Sequence, residues 1–179
     1  MAARGRLQSE RKALRQDRGW IRNPQNPRGF EAKPSLSADG TQNLMVWDCA
    51  IPGKDGTPWE GGLVPLVLRF TDDYATAPPT AAFKLLPGTN KPLFHPNVYP
   101  DGKICLNVLK PASQGGVWTP AHTIKTVLIA IQRLLETPNN DDAAQAEARS
   151  VYGRDRAEYE RRVRAQMAIL KDNGHTTVD

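Results

Sequence analysis

Between residues 4 and 18, Leu7 and Leu14 stand one heptad apart with charged side chains between them, which predicts a helix. Gly19 and the run Asn23-Pro24-Gln25-Asn26-Pro27 break it. The period then shortens to two. Along Asn43–Ile51, Leu44, Val46, Asp48 and Ala50 alternate with Met45, Trp47, Cys49 and Ile51, the pattern of a strand with mostly apolar groups on both faces. Leu63–Phe70 and Ala81–Leu86 read as further strands, linked by turns at Gly53-Lys54-Asp55-Gly56 and Asp72-Asp73. Phe30–Leu36 is the weakest candidate, because Pro34 lacks the N–H that a ladder needs, and it is expected at an edge. Together these segments predict a four-stranded antiparallel meander.

From Pro87 to Thr119 the periodicity disappears. Pro87, Pro92, Pro96, Pro100 and Pro111 punctuate the stretch, as do Gly88, Gly102, Gly115 and Gly116. Irregular runs beyond about 12–15 residues are uncommon inside a compact domain and are usually functional or disordered. Leu93, Phe94, Val98, Tyr99, Ile104, Leu106, Val108 and Leu109 call for burial, so an ordered, functional loop is expected.

Helical spacing returns with Ile124, Val127, Leu128, Ile131 and Leu135 on one face. Asp142, with Gln145 three residues on, has the signature of an N-cap and capping-box partner for a helix over Ala143–Tyr152, closed by Gly153. Asp155 and Glu158 repeat that signature before a last helix carrying Tyr159, Val163 and Met167. Lys171–Asp179 reads as a frayed tail. The order of elements predicts an α+β fold.

Length and composition narrow the class. A chain of 179 residues with 39% hydrophobic and 24% charged positions suits one domain. No apolar run approaches the roughly 18–20 residues of a membrane span, and the N-terminus, charged from Arg4, has no apolar signal region. A membrane partner is therefore not expected. The two cysteines, Cys49 and Cys105, make no disulfide framework, so reduced thiols and a nuclear and cytoplasmic location are the expectation.

The net charge of +5 is uneven: residues 1–33 hold nine basic side chains against three acidic ones, and the rest of the chain nets −1. Such an arm suits an acidic partner, or is a solvated helix face. Nucleic acid is the weaker choice, since only Trp20 and Phe30 could stack bases there and no groove-reading motif accompanies them.

Most standard sites find no support. His95, His122 and His175 show no metal-ligand spacing with the cysteines, so no metal is expected. Gly61-Gly62 lacks the Lys-Ser/Thr of a phosphate loop. What remains is a thiol. Cys49 alternates within an apolar strand, where a buried and inert thiol is usual. Cys105 follows Asp101-Gly102-Lys103 in the irregular stretch and is either another buried small hydrophobe or a reactive group.

The run HPNVYPDGKICLNVL (His95–Leu109) resembles the active-site segment of the ubiquitin-conjugating enzyme superfamily, in which a His-Pro-Asn triplet precedes the catalytic cysteine. IPGKDGTPWEGG (Ile51–Gly62), PNNDDAAQAEA (Pro138–Ala148), EYERRVRAQ (Glu158–Gln166) and SERKALRQD (Ser9–Asp17) resemble its SUMO-conjugating branch, so the likeness spans nearly the whole chain. It implies the ubiquitin-conjugating fold: an N-terminal helix, the meander, an active-site loop and C-terminal helices. Residues 1–29 are then a basic helix and inserted linker, 30–170 the catalytic core, and 171–179 a flexible tail.

The resemblance also implies a chemistry. A separate activating enzyme consumes ATP and hands the C-terminal glycine of SUMO, or of ubiquitin or a related modifier, to Cys105 as a thioester, so the chain itself needs no cofactor. A lysine of a protein substrate then attacks, with ligases assisting. A non-catalytic scaffold is the less favoured reading, because the cysteine is present. Taking a free lysine from its pKa of about 10.4 to the neutral form at pH 7 costs roughly 4.6 kcal/mol. The site must therefore align and deprotonate the amine, a task that the resemblance assigns to Asp142 with Tyr99. It assigns to Asn97 a donor for the thioester oxygen, worth about 3–4 kcal/mol; the alternative is that Asn97 closes a turn. His95 is expected to brace the loop by hydrogen bonds, and Pro96 to fix the turn.

By the same likeness, Asp142, Ala143, Gln145, Ala146 and Arg149 border a groove for a hydrophobic-Lys-x-acidic peptide, while Arg11, Lys12 and Arg15 meet the modifier and the activating enzyme. The chain departs from the branch with Arg149 in place of tyrosine, Ala143 in place of proline, and Thr80 and Ala82 where basic residues stand. Lys84 or Arg149 is the expected substitute charge. Insertions fall at Trp20–Pro27, Leu85–Lys91 and Pro111–Gly116.

Overall fold

In a computed structural model that describes residues 2–177, helix α1 (Ala2–Gln16) leads into four strands, β1 (Glu31–Leu36), β2 (Gln42–Pro52), β3 (Leu63–Arg69) and β4 (Thr80–Phe83). The strands pair antiparallel in sequence order, β1-β2-β3-β4, as the expected meander. Pro34 does sit in the edge strand, and the register slips beside it, between Pro34 and Ser35. Phe30 precedes β1, and Leu85 and Leu86 leave the sheet after β4.

The two-residue period sorts the sheet. Trp47, Cys49 and Ile51 of β2, Leu66 and Leu68 of β3, and Ala81 and Phe83 of β4 are all buried in one core. Helix α2 (Ile124–Glu136) packs against β2 and adds Ile124, Val127, Leu128, Ile131 and Leu135 to that core. Thr123 and Thr126 close a capping box at its start. Helices α3 (Ala146–Arg154) and α4 (Arg156–Asp172) pack together, with α4 also on β3. Asp155 caps α4 through the Glu158 N–H, as its spacing predicts. Among the described residues no helix is long and apolar enough to cross a membrane.

Three expectations fail here. Asp142 is no helix cap: α3 begins only at Ala146, because the Ala144 and Gln145 N–H groups both donate to the Pro96 carbonyl at 2.7 and 3.1 Å. Those bonds hold 142–145 in an irregular path. Gly153 does not end α3, which runs one residue further and stops at Asp155. Nor do residues 173–177 fray. They turn back after α4 so that the Leu63 N–H donates to the His175 carbonyl at 2.9 Å and Thr177 is buried. Residues 178 and 179 lie outside the described part of the chain.

The inserted segment after α1 is a knot of local hydrogen bonds. The Asn23 and Asn26 side chains cap the carbonyls of Arg18, Gly19 and Ile21, and Trp20 stacks on Phe30 with ring centroids 4.5 Å apart. Helix α1 is fixed by buried Glu10, which accepts from the Tyr74 hydroxyl and from the Ile124 N–H at 2.7 Å. Arg6 adds bonds to the carbonyls of Pro120 and His122.

Candidate active site

The irregular stretch is ordered by backbone bonds and two close glycine contacts. Gly102 takes φ +92°, and a Cβ there would lie 2.3 Å from the Phe83 carbonyl oxygen, so only glycine fits. The resulting turn returns the chain: Tyr99 N–H donates to Lys103, Ile104 N–H to Ala81 at the sheet edge, and Cys105 N–H to the Asn97 carbonyl at 2.9 Å. Two short 3₁₀ turns follow, at Asn107–Leu109 and Ala112–Gln114. Gly116 packs so tightly that a Cβ would lie 1.9 Å from the Lys110 carbonyl oxygen.

His95 and Asn97 are wholly buried and work as braces. The His95 Nε2–H donates to the Leu134 carbonyl at 2.8 Å, and Nδ1 accepts from the Asn97 N–H at 3.0 Å. That pairing requires the neutral tautomer, and burial pushes the imidazole pKa down to about 4. The Asn97 amide donates to the carbonyls of Asn139 and Asp142 at 2.7 and 2.8 Å and accepts from the Asn139 N–H at 2.8 Å. Both of its N–H groups are committed, so the oxyanion donor expected of Asn97 has no free proton here. It pins the 139–142 segment to the loop instead.

The pinned segment delivers Asp142 to the sulfur. Cys105 Sγ donates to Asp142 Oδ2 at 3.3 Å, and Lys110 Nζ lies 3.4 Å from that same oxygen and 3.6 Å from Sγ. Tyr99 stands close enough for the sulfur to raise its phenol. Tyr99 was expected to be buried with the loop, but it is 40% exposed. Cys105 retains only 6% of its surface. The two side chains bonded to it, Asp142 and Lys110, are both partly in water.

Electrostatics follows from this packing. Burial, then the hydrogen bond and charge of Asp142, raise the Cys105 thiol above its ordinary value, while Lys110 and Tyr99 pull it back. Asp142 is held below the usual carboxylate range by the thiol and by Lys110. Burial opposes the charge on Lys110, but Cys105 and Asp142 outweigh it and raise the amine. The resting site is therefore thiol, carboxylate and ammonium. Cys49 differs: deep burial raises its thiol strongly, and the charge of Asp48 adds to the shift.

Of the residues expected to border a substrate groove, three line one cleft. Ala143, Ala146 and Arg149 line a shallow cleft beside Asp142, together with Asn140, Ser150 and Arg154. Gln145 turns away; its amide donates to the carbonyls of Leu93 and Val98 at 3.0 Å, making it a brace of the loop. Lys84 is drawn to Asp48 at 3.1 Å, whereas Arg149 lines the cleft with Arg154. Arg11, Lys12 and Arg15 share one face of α1 with Gln8 and Gln16, and none forms an ion pair among the described residues. Lys110 is the site residue that sequence reasoning missed. Its only signal was a basic residue five positions past the cysteine.

The family model of the ubiquitin-conjugating enzyme matches residues 6–167. The chain is 46% identical over 164 residues to the SUMO-conjugating enzyme SCE1 of Arabidopsis thaliana, covering 92% of each. It is 48% identical over 164 residues to the SUMO-conjugating enzyme UBC9 of Caenorhabditis elegans, covering 92% of this chain and 89% of that one. To the Sumo-conjugating enzyme ubc9 of Dictyostelium discoideum it is 43% identical over 164 residues, again 92% of each. With a thiol braced beneath His-Pro-Asn and a meander between its helices, the chain belongs to the ubiquitin-conjugating enzyme family, on the side of its SUMO-conjugating members.

Proposed function

We infer that this protein carries SUMO as a thioester on Cys105 and transfers it to lysines of other proteins. The observation that carries the reading is the contact of the Cys105 thiol with the Asp142 carboxylate at 3.3 Å, in a loop braced by His95 and Asn97. In the first step the Cys105 sulfur attacks the glycyl thioester on the activating enzyme, the donor thiol departs, and the thiol proton is lost from Cys105. Asp142 Oδ2 then loses its S–H donor. That oxygen becomes an acceptor for an incoming ε-ammonium, orienting it and taking its proton. The neutral amine attacks, the C–S bond breaks, and Cys105 regains a proton as the isopeptide leaves.

ATP enters only through the activating enzyme, and these steps ask for no metal or cofactor of this chain. The basic face of α1, with Arg11, Lys12 and Arg15, suits the modifier and the activating enzyme. Arg149 and Arg154 place positive charge along the cleft beside Asp142, which suits a substrate with an acidic residue after its lysine. A reduced compartment, nucleus or cytosol, keeps the thiol available.

Thioester charging tests the reading. With the SUMO-activating enzyme, ATP and SUMO, a reductant-sensitive adduct is expected on Cys105. Charging with ubiquitin and its activating enzyme but not with SUMO would replace the cargo, and charging with neither would overturn the activity.

A further inference from the structure

We propose that Lys110 is a catalytic residue of the transfer step, its ammonium donating to the oxygen of the Cys105 thioester as negative charge builds there. The inference rests on the thioester reading above. Both N–H groups of the Asn97 amide are spent on the carbonyls of Asn139 and Asp142. The Cys105 N–H is spent as well, on the Asn97 carbonyl at 2.9 Å. Attack on a thioester still places charge on its oxygen, and a preorganised donor aimed there is usually the largest single aid to such a reaction.

Lys110 is placed to supply that donor. Its Nζ lies 3.6 Å from Sγ and 3.4 Å from Asp142 Oδ2. An ammonium carries three N–H groups, and the third has no partner among the described residues. The thioester oxygen will stand two bonds from Sγ, within reach of it. The stem is held by its backbone: the Lys110 N–H donates to Asn107 at 3.1 Å, and its carbonyl accepts from Trp118 at 3.1 Å. Trp118 is anchored in turn through its indole N–H to Ala75 at 2.9 Å, and Gly116 closes against the same Lys110 carbonyl. A donor fixed in this way needs little rearrangement when the charge appears.

The incoming amine, aligned by Asp142 Oδ2, takes the place of Lys110 on that oxygen and turns the ammonium toward the carbonyl. The neutral amine attacks the thioester carbon, the C–N bond forms, and the C=O electron pair moves onto oxygen, where the Lys110 N–H meets it. The pair then returns, the C–Sγ bond breaks, and the sulfur takes the proton released by nitrogen. Lys110 keeps its own proton throughout. Burial opposes its charge, but the sulfur and Asp142 outweigh burial and hold the amine above its ordinary value. Acylation removes the share of the sulfur and leaves that of Asp142, so Lys110 stays charged from pH 7 to 9.

The experiment charges the full chain with SUMO, quenches ATP, and follows single-turnover loss of the thioester to a lysine peptide and to hydroxylamine at pH 7, 8 and 9. In K110M both reactions should slow by about 10–100-fold. That is less than the roughly 10²–10³-fold of a sheltered oxyanion donor, because the side chain is 33% exposed. The loss should be the same at each pH, and the same for both nucleophiles, since hydroxylamine needs no alignment or deprotonation by the protein. It should also exceed the factor by which K110M weakens the acidity of the thiol, read from its alkylation profile, which is the most that a poorer leaving group can cost. The inference is overturned by an unchanged rate in K110M, by a loss confined to the lysine peptide or fading as pH rises, or by a loss no greater than the change in thiol acidity. Absence of any thioester on the unaltered chain would fell the proposed function and this inference together, which separates the two failures.

Discussion

The thiol of Cys105 donates to the carboxylate of Asp142 across 3.3 Å. The two residues stand 37 positions apart in the chain, and the contact exists because Asn97 ties the backbone on either side of Asp141 to the turn that presents the sulfur. Acid and thiol are thus a single unit, and the behaviour of one reports on the other.

Only one of the two cysteines is expected to carry cargo. Cys105→Ala should abolish the reductant-sensitive adduct, and Cys49→Ala should retain it with a stability loss of roughly 1 kcal/mol from core truncation. Gel analysis of charging, with thermal melts of both variants, checks this. An adduct surviving in Cys105→Ala would move the site elsewhere.

The thiol should titrate in opposite directions when its two charged neighbours are changed. Asp142 raises it and Lys110 lowers it. Asp142→Asn should shift the pH profile of iodoacetamide alkylation toward lower pH, and Lys110→Met toward higher pH. In the lysine-transfer step Asp142→Asn should be slower by about 10–100-fold, with the deficit shrinking as pH rises and the acceptor deprotonates unaided. A transfer deficit constant from pH 7 to 9 would remove Asp142 from the proton step.

Asn97 is expected to act through Asp142. Asn97→Ala removes three hydrogen bonds at a buried position and should cost about 1–3 kcal/mol of stability. It should also speed amide exchange in residues 139–145. In single-turnover transfer, Asn97→Ala combined with Asp142→Ala should lose less than the product of the single losses. Fully multiplicative losses with unchanged exchange would restore an independent oxyanion role.

His95 should make the fold sensitive to mild acid. Its imidazole titrates near 4 when folded against an ordinary value of 6.5, so the unfolded chain binds the extra proton between these values. Its contribution is intact above pH 6.5 and is lost as pH falls toward 4, a change of about 3 kcal/mol. Urea midpoints from pH 4.5 to 7.5 should trace this slope, and His95→Asn should flatten it. An equal slope in the variant would assign the effect to other groups.

Arg149 should select acidic peptides. Arg149→Glu is expected to raise the KM for a peptide with an acidic residue after its lysine several-fold, with little change in kcat. The difference should fade in 0.5 M salt, as screening predicts. A kcat effect of the same size would mean that Arg149 bears on the chemistry instead.

Much of this architecture was legible from periodicity: the core face of α2, the alternation of β2 and the Asp155 cap each follow from local rules. Most of the readings that failed share one cause, a partner distant in sequence. Asp142 followed by Gln145 satisfies the local capping pattern, yet the Pro96 carbonyl, far away in sequence, captures the Ala144 and Gln145 N–H groups and delays the helix. Gln145 is drawn off by Leu93 and Val98 in the same way. Lys110 was hidden because its direction depends on Trp118 and Gly116. The polar segment after α4 looked loose because its partner, Gly61–Leu63, lies over a hundred residues earlier.

Gly102 and Gly116 touch no reacting atom, yet a single methyl group at either would collide with a carbonyl oxygen. Damage at these two points would leave every chemical group of the enzyme present and all of them misplaced. Descendants of this sequence are consequently free to experiment along the cleft, at Ala143 or Arg149, while any drift at the two hydrogens-only positions should be eliminated as surely as loss of the sulfur itself.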